Sequence, residues 1–434
     1  MMRNLMLFAL LAVPVLQVQA QTPAPTNIDD LWKIIQQQQA EIDSLKSKDT
    51  VTEQELAETR EKVSANEQRV NATGDAVDTM ANSQSKLASW VEDTQIGGYG
   101  EMHYNNLDAE NSANDVKEID LHRFVLYFNH QFNDDLRFFS EFEIEHSISG
   151  DDEDGEVEVE QAYLQYDLND NHTVQGGVFL LPIGIINETH EPNTFYGVER
   201  NSVEKNIIPA TWWEGGAALS GHYESGLSWD FAMTSGLEMG DDYQVRKGRQ
   251  KVSEASANDP AYTARLKYTG LPGLELSASY QLQVDAAQGK ATDDLDNPID
   301  IGQGQLISTH AIYNKGPFSV RALWAGWDFD GDDIKTAGAD DQSGWYIEPA
   351  WKFSPGNYDI GIYARYEDLD GYATKGDTDE FQVGKFDEWQ VGINYWPVEN
   401  VVVKFDYRDR SYDEALTSAD YDFTGIDLGL GYSF

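Results

Sequence analysis

Between residues 28 and 87 apolar side chains recur every seven positions; beyond residue 95 they recur every two. In the first stretch one register puts Ile28, Ile35, Ile42, Asp49, Leu56, Val63, Val70, Val77 and Gln84 at a positions. Leu31, Gln38, Leu45, Thr52, Thr59, Asn66, Thr73, Met80 and Leu87 fall at d. Seven of nine a positions are apolar against four of nine d positions, a pattern that predicts a left-handed coiled coil over residues 28–90 with a weak middle. Asp49 and Gly74 are where it should fray. A single amphipathic helix is the alternative reading, and the seam does not fix the strand number.

After Gln95, segments of about ten residues alternate apolar and polar, with turn residues between them. Leu227-Ser-Trp-Asp-Phe-Ala-Met233 and Ile426-Asp-Leu-Gly-Leu-Gly-Tyr-Ser-Phe434 are clear cases. Sixteen strands are predicted, beginning near Gln95, Glu118, Leu136, Val157, His172, Trp213, Leu227, Ala261, Leu274, Gly304, Phe318, Gly344, Tyr358, Lys385, Val401 and Asp422. Short turns (Asn169–Asn171, Tyr223–Gly226, Asn314–Pro317) alternate with long acidic connections. An even number of antiparallel strands with alternating short and long connections predicts an all-β transmembrane barrel over residues 95–434, with no strict alternation expected of a soluble sandwich. Strands near Glu118 and Val157 are ambiguous, because their two faces are not clearly apolar and polar. Aromatic girdles are expected from Trp229, Tyr268, Trp351, Tyr358, Trp396, Tyr407 and Tyr432.

The N-terminus changes the address. Arg3, the apolar run Leu5–Leu16 and Val18-Gln19-Ala20 predict a signal peptide over residues 1–20, followed by a short linker over 21–27. The run is too short to span a bilayer. The barrel is therefore expected in a Gram-negative outer membrane and the coiled coil in the periplasm.

Composition narrows the chemistry. With 76 acidic against 30 basic residues and a formal charge of −46, nucleic acid is not an expected partner. No cysteine is present, which excludes disulfides and thiolate metal sites. The histidines show no HExxH spacing and no nucleophile motif is found, so neither catalysis, a cofactor nor a metal is expected. Asp328-Phe-Asp-Gly-Asp-Asp333 and Asp151-Asp-Glu-Asp-Gly-Glu156 read as solvated acidic loops rather than calcium loops. Mean hydropathy is −0.53, as expected where only every second strand residue meets lipid.

Inward faces carry the candidate pore chemistry. A sixteen-stranded tube is too wide for side chains to fill. Arg265, Lys267, Arg321, Lys352, Arg365, Lys404 and Arg408 should line it, with Asp230, Glu275, Glu348, Glu367 and Asp406 among them. The longest connection, residues 181–212, is the candidate for a third loop folded inward, anchored by Ile183, Ile185, Ile186, Ile207 and Ile208. It would place Glu188, His190, Glu191, Glu199, Arg200, Glu204 and Lys205 at a constriction, with net charge −2. An external cap is the other reading of this segment.

Several blocks carry a family resemblance. Gly97-Gly-Tyr-Gly-Glu-Met-His-Tyr-Asn-Asn106, Asp120-Leu-His-Arg-Phe-Val-Leu-Tyr127 and Phe138-Phe-Ser-Glu-Phe-Glu143 resemble the phosphate-selective porin O and P family. Pro182–Pro192 and Phe195–Arg200 extend the likeness. The resemblance implies a homotrimer of sixteen-stranded barrels, each passing small hydrophilic solutes and ions, with phosphate as the extension that the acidic loop weakens. The terminal Tyr432 and Phe434 resemble the signal read by the barrel assembly machinery. Outer-membrane lipid and lipopolysaccharide are the other expected partners. A structural or adhesive envelope protein, tethered by its coiled coil, is the alternative function.

Overall fold

The computed structural model describes residues 27–148, 155–293, 295–371, 384–413 and 421–434. The expected signal peptide, most of the expected linker and residues 151–154 of one acidic loop lie outside them. Two units divide the chain near residue 88.

The first unit is built on one long helix, α1 (Ile28–Glu92). Its heptad residues Ile35, Ile42, Leu45, Leu56 and Val63 are exposed in the single chain. Among the described residues no helix is long and apolar enough to cross a membrane.

The second unit is a closed barrel of sixteen antiparallel strands. They are β1 (Thr94–Ala109), β2 (Val116–Gln131), β3 (Leu136–Glu145), β4 (Val157–Asn169), β5 (His172–Leu180), β6 (Trp213–His222), β7 (Leu227–Thr234) and β8 (Ala261–Leu271). The rest are β9 (Leu274–Gln283), β10 (Gly304–Lys315), β11 (Phe318–Phe329), β12 (Asp341–Phe353), β13 (Asp359–Asp370), β14 (Lys385–Val398), β15 (Val401–Tyr412) and β16 (Phe423–Ser433). Each pairs with its sequence neighbours, and β1 pairs with β16 to remove both edges. Most strand starts coincide with the turn signals of the sequence, because Gly, Pro and Asn cluster where alternation stops.

Alternation sorts the two faces. On β15, Val403, Phe405 and Tyr407 are exposed while Lys404, Asp406, Arg408 and Arg410 are buried. Trp324, Trp345, Trp351 and Trp389 also face outward. Trp396 does not join that girdle. It shares the buried side of β14 with Gln390 and Asn394 and packs edge-on against Tyr196, so strand parity overrides its aromatic character.

The ambiguity of β2 and β4 has a physical cause. The β1–β2 register slips between Glu101 and His103, and the β3–β4 register between Glu141 and Phe142. Each bulge adds one residue to β2 or β4 and flips the alternation beyond it.

Candidate functional site

Residues 181–212 join β5 to β6 and pack against side chains of other strands. Leu181, Ile183, Ile185, Ile186, Ile207, Ile208 and Trp212 are all buried. All but Ile186 cluster with Leu323, Ala325, Trp327 and Phe329, the unusually apolar buried face of β11. Each such side chain stabilises the segment by about 1.5–3 kcal/mol. Trp327 Nε1 donates to the Ile207 carbonyl at 2.8 Å. Gly184 sits at φ 76°, where a Cβ would lie 2.6 Å from Glu204 Oε1.

Polar bonds then tie the segment to strands around the barrel. Arg321 donates to the Thr194 carbonyl at 2.7 Å and Lys404 to the Gly197 carbonyl at 2.7 Å. The amide of Val198 donates to Asp406, and that of Ser202 to Glu367 at 2.9 Å. Glu199 bonds His103 Nδ1 at 2.9 Å, and Glu188 pairs with Arg265. His190 is buried between Glu141 and Glu160. The Glu191 carbonyl caps the Thr194 turn. Glu204 is wholly buried and accepts from the segment's own amides, so it braces the fold of the segment and does not line the cavity.

Most predicted wall cations are neutralised where they stand. Arg265 pairs with Asp230 at 2.7 Å, Arg365 with Glu348 at 3.4 Å, and Arg408 with Glu388 at 2.8 Å. Lys352 is half-exposed, pairs with Asp359 at 3.1 Å and sits 4.1 Å over the Trp396 ring. Lys267 is half-buried on β8, beside Ser228 and Ser277 in the ladder. Arg410 bonds Glu388 and the Ser202 hydroxyl at 2.6 and 2.8 Å.

Three other cations stand apart. Arg200, Lys205 and Arg246 border a cavity of about 510 Å³, together with Arg123, Arg408 and Arg410. Among the described residues none of the three has a carboxylate within 4.0 Å. Arg246 instead donates to the carbonyls of Lys205 and Ala210 at 2.9 and 2.7 Å. The cavity's acids are largely spoken for. Glu101 pairs with Arg123 at 3.0 Å, Glu199 with His103, and Asp120 with His122 and His146. Glu118 is the exposed exception. Burial pushes Lys205 down to about 8, and it holds Arg200 below its ordinary range beside the Arg123 charge.

Arg246 and its neighbour Arg249, which crosses the Trp213 ring at 5.8 Å, were not among the sequence candidates. A signal existed: Arg246-Lys-Gly-Arg249-Gln-Lys251 is a basic run in an otherwise acidic set of long connections. Elsewhere, Asp330 and Asp333 of the acidic loop after β11 accept the amides of Gln303 and Asp300. At the seam, Phe434 exchanges backbone bonds with Gly98 at 3.0 and 2.9 Å, and Tyr432 lies opposite Gly100.

Comparison with known proteins agrees with this architecture. A model of the family described as phosphate-selective porin O and P matches residues 95–434. A protein of Aquifex aeolicus strain VF5, described only as uncharacterized, is 31% identical over 360 residues, covering 76% of this chain and 78% of its own. Salmonella typhi OmpF, solved in complex with daunomycin, matches with a TM-score of 0.54 and 16% identity over 79% of this chain and 97% of its own. The anion-selective porin of Comamonas acidovorans matches with a TM-score of 0.52 and 10% identity over 79% and 99%. Those two likenesses give the fold, and the family match gives the membership. The chain belongs to the phosphate-selective porin O and P family and is an outer-membrane channel porin.

Proposed function

We propose that the channel favours small anions, and that the segment over residues 181–212 forms its constriction with the cations of the β7–β8 connection. The observation that carries this reading is the cluster of Arg200, Lys205 and Arg246, three cavity-lining cations without a carboxylate partner among the described residues. The cavity lining holds six Arg and Lys against five Asp and Glu, so its surplus is positive. A low-dielectric wall focuses such a field on whatever enters. The anion-selective porin of Comamonas acidovorans has the same fold and makes this preference a natural one. Phosphate is the anion to try first, given the family, although the acids of the segment argue for a general anion path over a phosphate-only one.

The reading extends to assembly. The exposed heptad side chains of α1 support a homo-oligomer, a trimer by the family resemblance, in which these helices pair as a periplasmic coiled coil. The backbone closure at Phe434 supports its recognition by the assembly machinery, and the acidic connections support divalent-bridged contact with lipopolysaccharide. Planar-bilayer recordings in a potassium chloride gradient test the central reading. A zero-current potential of the sign set by chloride supports it; the sign set by potassium refutes it.

A further inference from the structure

Glu141 on β3, Glu160 on β4 and His190 in the β5–β6 segment each turn one atom without a hydrogen bond toward the others. All three are at most 2% exposed. His190 Nε2 lies 3.4 Å from Glu141 Oε1 and 3.4 Å from Glu160 Oε2. None of these three atoms has a hydrogen-bond partner. Their remaining polar atoms are all engaged. Glu141 Oε2 accepts from Gln161 at 2.6 Å, Glu160 Oε1 accepts from Thr211 at 2.7 Å, and His190 Nδ1 lies 3.3 Å from the Asn187 carbonyl.

That arrangement fixes the tautomer. A ring nitrogen next to a carbonyl must carry the proton, which leaves Nε2 of a neutral imidazole as a lone pair. Three acceptor atoms then converge on one point in a buried place. An additional proton on Nε2 would aim between two oxygens, each beyond the usual hydrogen-bond length of about 2.7–3.2 Å. A tetrahedral ion held at about 2.1 Å from each ligand would set their spacing at roughly 3.4 Å, close to that observed. A carbonyl partner on the second ring nitrogen is also how metal-binding histidines are usually oriented. Charge points the same way. Glu143, beside Glu141 on the same face, has two further oxygens without a hydrogen bond, and its Oε1 lies 3.3 Å from Arg123. Buried carboxylates in this number call for more positive charge than one guanidinium.

We propose that Glu141, Glu160 and His190 bind a divalent transition metal of the zinc class, which fastens the β5–β6 segment to wall strands β3 and β4. One imidazole and two carboxylates suit zinc, cobalt or manganese better than calcium, which takes more oxygens. The site does not depend on which solute the channel passes. Asp120, His122 and His146 also gather within 4.8 Å, but both of those imidazoles already bond Asp120 and His146 is exposed. That cluster is the competitor to exclude.

The test uses the purified full chain folded in detergent, stripped with chelator, then titrated with zinc by calorimetry and with cobalt by visible absorption. One tight zinc per chain is expected, kept in His122→Ala and weakened about a hundredfold or more in His190→Asn and Glu160→Gln. A tetrahedral cobalt spectrum should vanish in the same two variants. Absence of a tight site in the wild-type chain overturns the proposal, leaving a buried ion pair only. So does binding that survives both substitutions or disappears in His122→Ala. Mobility on unheated gels reports whether each variant has folded, and Glu141→Gln replaces any that has not.

Discussion

The Tyr346 hydroxyl donates to Glu204 at 2.8 Å, joining the middle of β12 to the β5–β6 segment. The same oxygen accepts from the Asn201 side chain at 3.1 Å, and the other Glu204 oxygen accepts from the amides of Ile185 and Ile186. One buried carboxylate thus organises both limbs of the segment. Glu204→Ala leaves two buried amides and a hydroxyl unmet, at about 1–3 kcal/mol each. The variant should unfold at lower denaturant and show larger, noisier single-channel conductance. Tyr346→Phe removes one bond to a charged acceptor and should cost about 1.5–3 kcal/mol with smaller change in the current. Unchanged conductance noise in Glu204→Ala would count against a constricting segment.

Charge removal at the cavity should act on selectivity alone. A unit charge about 4 Å from a permeating ion in water-like surroundings contributes about 1 kcal/mol, close to fivefold in relative permeability. Arg200→Gln and Arg246→Gln should each lower the anion-to-cation ratio by about that factor. Lys352→Gln, whose cation already faces Asp359, should leave the ratio nearly unchanged. Reversal potentials of the three variants, read side by side, check the ranking.

Selectivity should also follow pH. Burial pushes Lys205 down to about 8, so it is mainly charged at pH 7 and mainly neutral at pH 9. Loss of that proton removes positive charge from the cavity, and anion preference should fall between those two values. Lys205→Arg keeps its charge and should flatten the profile. A preference that rises with pH, or a Lys205→Arg profile as steep as wild type, would contradict the assignment.

The terminal strand separates folding from recognition. Phe434 exchanges two backbone bonds with Gly98, one donated and one accepted, worth about 0.5–1.5 kcal/mol each, while its ring lies 6.3 Å from that of Phe124. Phe434→Ala keeps the backbone bonds and should refold in detergent nearly as well as wild type, yet assemble poorly in cells. Deleting Phe434 should impair both. Equal assembly of wild type and Phe434→Ala in cells would remove the side chain's role as a signal.

Local patterning made the barrel readable: alternation gave sixteen strands, and turn residues gave their ends to within a few positions. The exceptions are instructive. Bulges on β2 and β4 reverse parity mid-strand, and Trp396 is buried because it shares the parity of Gln390 and Asn394 along β14. The inward cations were recognisable by parity, but parity does not say which of them finds a carboxylate. Arg265, Arg365 and Arg408 do; among the described residues Arg200 and Lys205 do not, and Arg246 reaches the same cavity from a different connection. Likewise, Glu141, Glu160 and His190 share no sequence spacing that suggests a metal. Only closure of the barrel and the packing of the long segment against it bring His190 to 3.4 Å from each carboxylate.

The most direct measurement is the zero-current potential of the full chain in a planar bilayer under a potassium chloride gradient, beside a variant carrying Arg200→Gln, Lys205→Gln and Arg246→Gln together. Anion preference in wild type, lost or reversed in the triple variant with open-channel steps retained, is the expected result. Cation preference in wild type, or a potential that the three substitutions leave in place, would contradict it.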